Sequence, residues 1–267
     1  MKELFKLKVT RDTWIAVVAG LLMIGLSLLM LPFSGDSIGD TIVSFLLRDV
    51  VMIFGLGIVF VSIYVGKKGK EVLSDTGFSK KKLKLSIVLD ILLAAGLLAM
   101  FIGDGIPEGT VLLQKENLYA AVYILTAGFF EMLFIYGFLR MSFEKAFGII
   151  PAIVLTSVFY SFHHAGFQPE FLHLFLVGLM YSAVFYITRN MLIIFPFFWG
   201  VGALWDVIIS SEAGDGIKNI ESFVFALIIW LLIVIWFWYR RRRSKRNAVE
   251  NIHSNHGDPD QGREECV

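Results

Sequence analysis

The chain holds one cysteine, Cys266, in 267 residues. A single thiol cannot form an intrachain disulfide, so covalent stapling is excluded as a source of stability. Charge is scarce as well: 18% of residues are Asp, Glu, Lys or Arg, against about 25% in an ordinary soluble domain. The 24 basic and 23 acidic side chains leave a formal balance of +1, which implies no bulk electrostatic partner and no nucleic acid. Alternating segments of about ten residues, the mark of a membrane β-barrel, are missing. So is any defensible internal repeat.

What is abundant is apolar surface, 57% of the residues, gathered into blocks. About 20 helical residues cross the ~30 Å hydrocarbon layer, and the blocks reach that length. The expected class is all-α: a polytopic membrane protein, a bundle of about eight transmembrane helices. The spans are expected near Thr13–Pro32, Val50–Gly66, Leu83–Gly103, Leu118–Arg140, Phe147–His163, Phe171–Thr188, Met191–Ser210 and Ile220–Tyr239. The first block is too long for a cleavable signal peptide, and none is expected. Residues 1–239 form the membrane domain; residues 240–267 read as a basic and then disordered cytoplasmic tail, with His253 and His256 solvated.

Lys and Arg crowd the start (Lys2, Lys6, Lys8, Arg11), the second loop (Lys67 to Lys84), the fourth loop (Arg140, Lys145), the turn at Arg189 and the run "RRRRSKR". The alternate loops hold only Arg48, Lys115 and Lys218. The positive-inside rule then puts both termini in the cytoplasm, as an even number of spans requires. The aromatic "WLLIVIWFWY" before the basic run reads as an interfacial belt.

Ionisable residues inside spans are functional candidates by default. Here they are Asp90, Glu131, His163, His173 and Asp206, with His164 and Glu170 just past a span end. Glu131 stands among Phe129, Phe130, Met132, Leu133 and Phe134 and is too short to reach an interface. Its bland reading is a protonated acid bonding a neighbouring helix. Thr156, Phe159 or Tyr160, and His163 share one helical face, and an imidazole can bind a metal or carry a proton near neutral pH. Pro196 predicts a kink, Gly200 and Gly202 allow close helix approach, and Asp206 shares a face with Gly202 and Trp199. Helical rise places Glu131 about 13 Å above its inner helix end, but His163 about 24 Å and Asp206 about 22 Å above theirs. That difference in depth counts against a simple three-ligand site.

The three stretches "EMLFIYGFL", "FYSFH" and "FPFFWGVGALWD" resemble, in order and spacing, the CPBP family, also called the Abi or CAAX-protease-like family. The resemblance covers about Leu118 to Ser210. The family pattern is Glu-Glu-x-x-x-Arg, then Phe-x-x-x-His, then His-x-x-x-Asn or Asp, on an eight-helix bundle. Glu131 matches the first glutamate, while Met132 and Tyr136 replace the second glutamate and the arginine. Phe159 and His163 match the second motif. In the third, Asp206 fits, but Trp199, Gly200 or Gly202 takes the place of histidine.

The resemblance implies an intramembrane endopeptidase that hydrolyses a peptide bond with water activated by glutamate and histidine, with or without zinc or another divalent metal. It implies Glu131, His163 and Asp206 as catalytic residues and Glu131 and His163 as metal ligands. Tyr136, Phe159, Tyr160, His164 and Trp199 are expected to support them. The implied partners are the lipid bilayer and a peptide or protein substrate, lipidated or not. Two alternatives stay open: an inactive family member acting as a membrane regulator or bacteriocin-immunity-type protein, and a proton-coupled transporter.

Overall fold

A computed structural model describes residues 3–35, 37–112, 114–164, 170–210 and 220–255. Eight apolar helices follow one another: α1 (Arg11–Phe33), α2 (Ile38–Lys68), α3 (Leu83–Asp104), α4 (Lys115–Phe147), α5 (Ile149–His163), α6 (Phe171–Thr188), α7 (Phe197–Ile209) and α8 (Ile220–Asn255). No strand occurs among the described residues. The protein is an all-α polytopic membrane protein. Six of the helices are long and apolar enough to cross a membrane; over the described residues α5 and α7 are shorter apolar helices.

The shortening has local causes. Gly148, at φ +91°, ends α4 and lets α5 start at Ile149. Pro196 does not kink a long helix, as expected from the sequence. It stands at the start of α7, after a single turn at Met191–Ile193. Proline lacks an N–H and clashes within a helix but is tolerated at its start. The first amide groups of α7 are orphan donors. They are taken up by Asp90 of α3, whose carboxylate accepts from Phe198 N at 2.7 Å and Phe197 N at 3.4 Å. Asp90, flagged in the sequence as an intramembrane acid, is therefore a helix cap.

Two other charges lie deeper than expected. Arg48, read as a loop residue, is inside α2, because the helix starts at Ile38. Arg140, read as the inner end of the fourth span, is inside α4 and 1% exposed. Its guanidinium donates to Glu144 (2.8 Å), to the carbonyl of Tyr136 (2.7 Å) and to that of Asp75 (2.6 Å). Glu144 also accepts from Arg189 at 2.8 Å and Tyr186 at 3.1 Å, so the cation is paired and its donors are used. A buried charge is tolerated on those terms.

α4 is the central helix. It packs against α1, α2, α5 and α7, and every residue from Phe130 to Glu144 is buried. A helix apolar all round belongs in the middle of a bundle. By contact the chain divides into two compact units, Met1–Ala226 and Leu227–Val267. In the second, the helix runs on through the basic run to Asn255, over residues whose composition reads as a solvated tail, and the Arg242 guanidinium lies 3.7 Å from the Trp238 ring centroid. Residues 256–267, with His256 and Cys266, are outside the described residues.

The N-terminal segment closes the α4–α5 turn. Lys6 N donates to Phe147 O (2.9 Å), and Ile149 N and Ile150 N donate to Glu3 O and Leu4 O (3.2 and 3.1 Å). A Cβ on Gly148 would come within 2.7 Å of Leu4 O and would need the left-handed region. Gly148→Ala is expected to lower stability by about 1–3 kcal/mol. Gly66→Ala, with open space around it, should change it little. Thermal unfolding in detergent micelles checks both.

Candidate active site

Glu131 stands midway along α4, sixteen residues from Lys115 and sixteen from Phe147. At 1.5 Å per residue it lies about 24 Å from the α4–α5 turn, and His163, fourteen residues into α5, lies about 21 Å from the same turn. The depth difference expected from the sequence disappears. It came from ending the fourth span at Arg140; the pairing of Arg140 with Glu144 lets the helix continue to Phe147. From Glu131 to Leu139 the backbone bonding shifts to i→i+5 and the helix widens, a form frequent at functional sites.

Three side chains meet the Glu131 carboxylate. His163 Nε2 lies 3.2 Å and His164 Nε2 3.6 Å from Oε1. Trp199 Nε1 donates to Oε2 at 2.9 Å. Glu131 is 4% and His163 9% exposed, so these contacts replace most of the carboxylate's hydration. Buried polar groups persist where partners of this kind offset desolvation.

His164 is the residue whose part the sequence reading understated. Neighbours on a helix diverge by about 100°, so two adjacent histidines should not face one partner. The helix ends at His163, however, and His164 turns out of it with ψ 41°. Both imidazoles then face Glu131, their ring centroids 4.0 Å apart. The doublet at a helix end was the available signal.

Of Trp199, Gly200 and Gly202, the three positions that the sequence offers in place of the third-motif histidine, Trp199 is the one that bonds Glu131. Gly128, almost one turn before Glu131, makes room for it: a Cβ there would run into the indole ring. Asp90, by capping α7, holds Trp199 at that height. Tyr160 lines the cavity beside the histidines, its ring 5.1 Å from that of His164. Tyr136 is fully buried behind Tyr160, ring centroids 5.6 Å apart. Phe159 points elsewhere, packing on Gly20 of α1 and on the Phe143 ring at 5.4 Å. Asp206 is exposed and lines the same cavity, but it is not among the groups that converge on Glu131.

The cavity has a volume of about 1170 Å³. Its polar side carries Glu131, Tyr160, His163, His164, Trp199 and Asp206; much of the rest is apolar. One carboxylate and two imidazoles with ligand atoms within 4.8 Å of one another are a donor set that suits a divalent ion.

Residues 114–209 match the family model described as type II CAAX prenyl endopeptidase Rce1-like. That stretch is similar to the CAAX-protease (CPBP) family. No curated protein and no solved structure matches the chain. The matched stretch supplies the carboxylate, both imidazoles and the indole, so the whole convergent group lies within the part of the chain that matches.

If the three donors form one ion site, His163→Ala and His164→Ala should each weaken Zn²⁺ or Co²⁺ binding by at least ~10-fold, the scale of losing even an outer partner. Asp206→Asn should leave it unchanged. Competition with a chelating dye measures this, and equal loss in Asp206→Asn would show that the ligand set is drawn wrongly.

Proposed function

We propose that the protein is an intramembrane endopeptidase of the CAAX-protease type. The observation that supports this most directly is a buried carboxylate facing two imidazoles on the wall of a cavity large enough for a peptide. In this reading Glu131 takes a proton from a water molecule as its oxygen attacks the scissile carbonyl carbon. The same carboxylate then returns the proton to the departing amine. Trp199 fixes Oε2, so that Oε1 is the basic oxygen and remains turned towards the histidines. His163 and His164 orient the water and offset the charge that builds on the carbonyl oxygen. Glu131, His163 and His164 would hold a divalent ion, which when bound would lower the pKa of water and polarise the carbonyl. Asp206, at the exposed side of the cavity, is proposed to contact the substrate chain on its way in. The substrate is a membrane-borne peptide or protein, lipidated or not, and both termini of the enzyme face the cytoplasm.

A second reading keeps the fold and drops the chemistry: an inactive relative acting as a membrane regulator. Met132 and Tyr136 favour it, since both are fully buried where the family pattern has a glutamate and an arginine.

Glu131→Gln keeps the shape of the side chain and removes the base. It should cut hydrolysis of a membrane peptide library by about 10²–10⁴-fold, the usual worth of a general base, with folding intact. Absence of cleavage by the wild-type protein, in the presence and absence of added Zn²⁺, would favour the regulator.

A further inference from the structure

The cavity belongs to one end of the bundle. In α1 its lining residues begin at Ser27, in α3 at Leu97 and in α5 at Tyr160, towards the close of each helix. In α2, α4 and α6, which follow in the opposite sense, they stop at Ile53, Glu131 and Tyr181. A cavity lined by the late residues of one set and the early residues of the other lies at a single end. Its rim there carries Asp104, Glu170 and Asp206, all exposed.

The other end is basic. Lys68 Nζ donates to Asp12 at 2.8 Å, which joins the end of α2 to the start of α1. Lys145 pairs with Asp75 at 2.7 Å, and Arg189 with Glu144 at 2.8 Å. Lys80, Lys81 and Lys82 precede α3 on the same side. None of these cations lines the cavity. Between them and the site, α4 is buried from Phe130 to Glu144, so that side has no opening along the central helix. Lys and Arg beside span ends stay in the cytoplasm, and acidic residues weigh little in that choice. The cations thus orient the cavity without reference to the chemistry at Glu131.

We infer that the cavity opens to the extracytoplasmic face and that the substrate presents its scissile segment there. This rests on the endopeptidase reading above and narrows its substrate. Charged and polar groups cross the hydrocarbon layer only at a high cost. A peptide held at the cytoplasmic leaflet, lipidated or not, therefore does not reach Glu131. A loop or chain end of a membrane protein that stands outside the cytoplasm does.

The test places single cysteines in the full chain on a Cys266→Ser background. Asp104→Cys and Asp206→Cys mark the cavity side, and Lys80→Cys marks the basic side. A membrane-impermeant thiol reagent is added to intact cells that express each variant. The two cavity-side cysteines are expected to label with the cells intact, and Lys80→Cys only after the membrane is permeabilised. The reverse pattern overturns the proposal. A second measurement uses two membrane-anchored reporters that carry one and the same apolar segment, outside the cytoplasm in one and inside it in the other. Wild type is expected to cut the outer reporter alone, and Glu131→Gln neither. Cleavage of the inner reporter alone overturns the proposal and leaves the endopeptidase reading standing. Outward labelling with neither reporter cut supports the orientation of the cavity and counts against the endopeptidase reading.

Discussion

A carboxylate sixteen residues from either end of a membrane helix has no route to water along its own side chain. Whatever compensates it must come from neighbouring helices, and that requirement organises the centre of this protein. α5 supplies two imidazoles and α7 an indole N–H. Over the described residues each of these helices is shorter than a full span, and each begins at a residue that breaks helix continuity: Gly148 in one case, Pro196 in the other. The short helices bring their functional groups to the level of Glu131 because they start where they do.

The supporting contacts are arranged to hold that level. Asp90 caps α7 and so sets the height of Trp199. Gly128 removes the side chain that would block the indole. At the other end of α4, Glu144 gathers Arg140, Arg189 and Tyr186, tying α4 to the end of α6. None of these residues contacts the cavity chemistry, yet each fixes an element that does. A carboxylate so enclosed suits proton transfer better than conduction through the bundle, which is why hydrolysis rather than transport is the function proposed.

Much of this was legible in the sequence. Long apolar blocks gave the fold class directly, because the bilayer imposes a length. Glu131 and His163 stood out because ionisable groups are costly there. Two of the misreadings share one cause. On charge alone Arg48 reads as a loop residue and Arg140 as a span end, but each is paired with an acid on its own helix, and a paired arginine does not end a span. Ending the fourth span at Arg140 then created a depth difference that the folded chain does not have. His164 was undervalued because helical periodicity separates neighbours; the periodicity stops at His163. Asp90 could not be told from a site residue, since its partners are backbone amides about 107 positions away.

The central claim is that Glu131 and His163 face one another across a solvent-reachable cavity. On a Cys266→Ser background, cysteines placed at both positions provide the most direct measurement, with a short bifunctional thiol crosslinker and mass spectrometry of the digested protein. The account predicts an intramolecular bridge between the α4 and α5 peptides, formed with a water-soluble reagent and absent from either single-cysteine protein. Two thiols that label independently without bridging, or that react only with a lipid-soluble reagent, would contradict it.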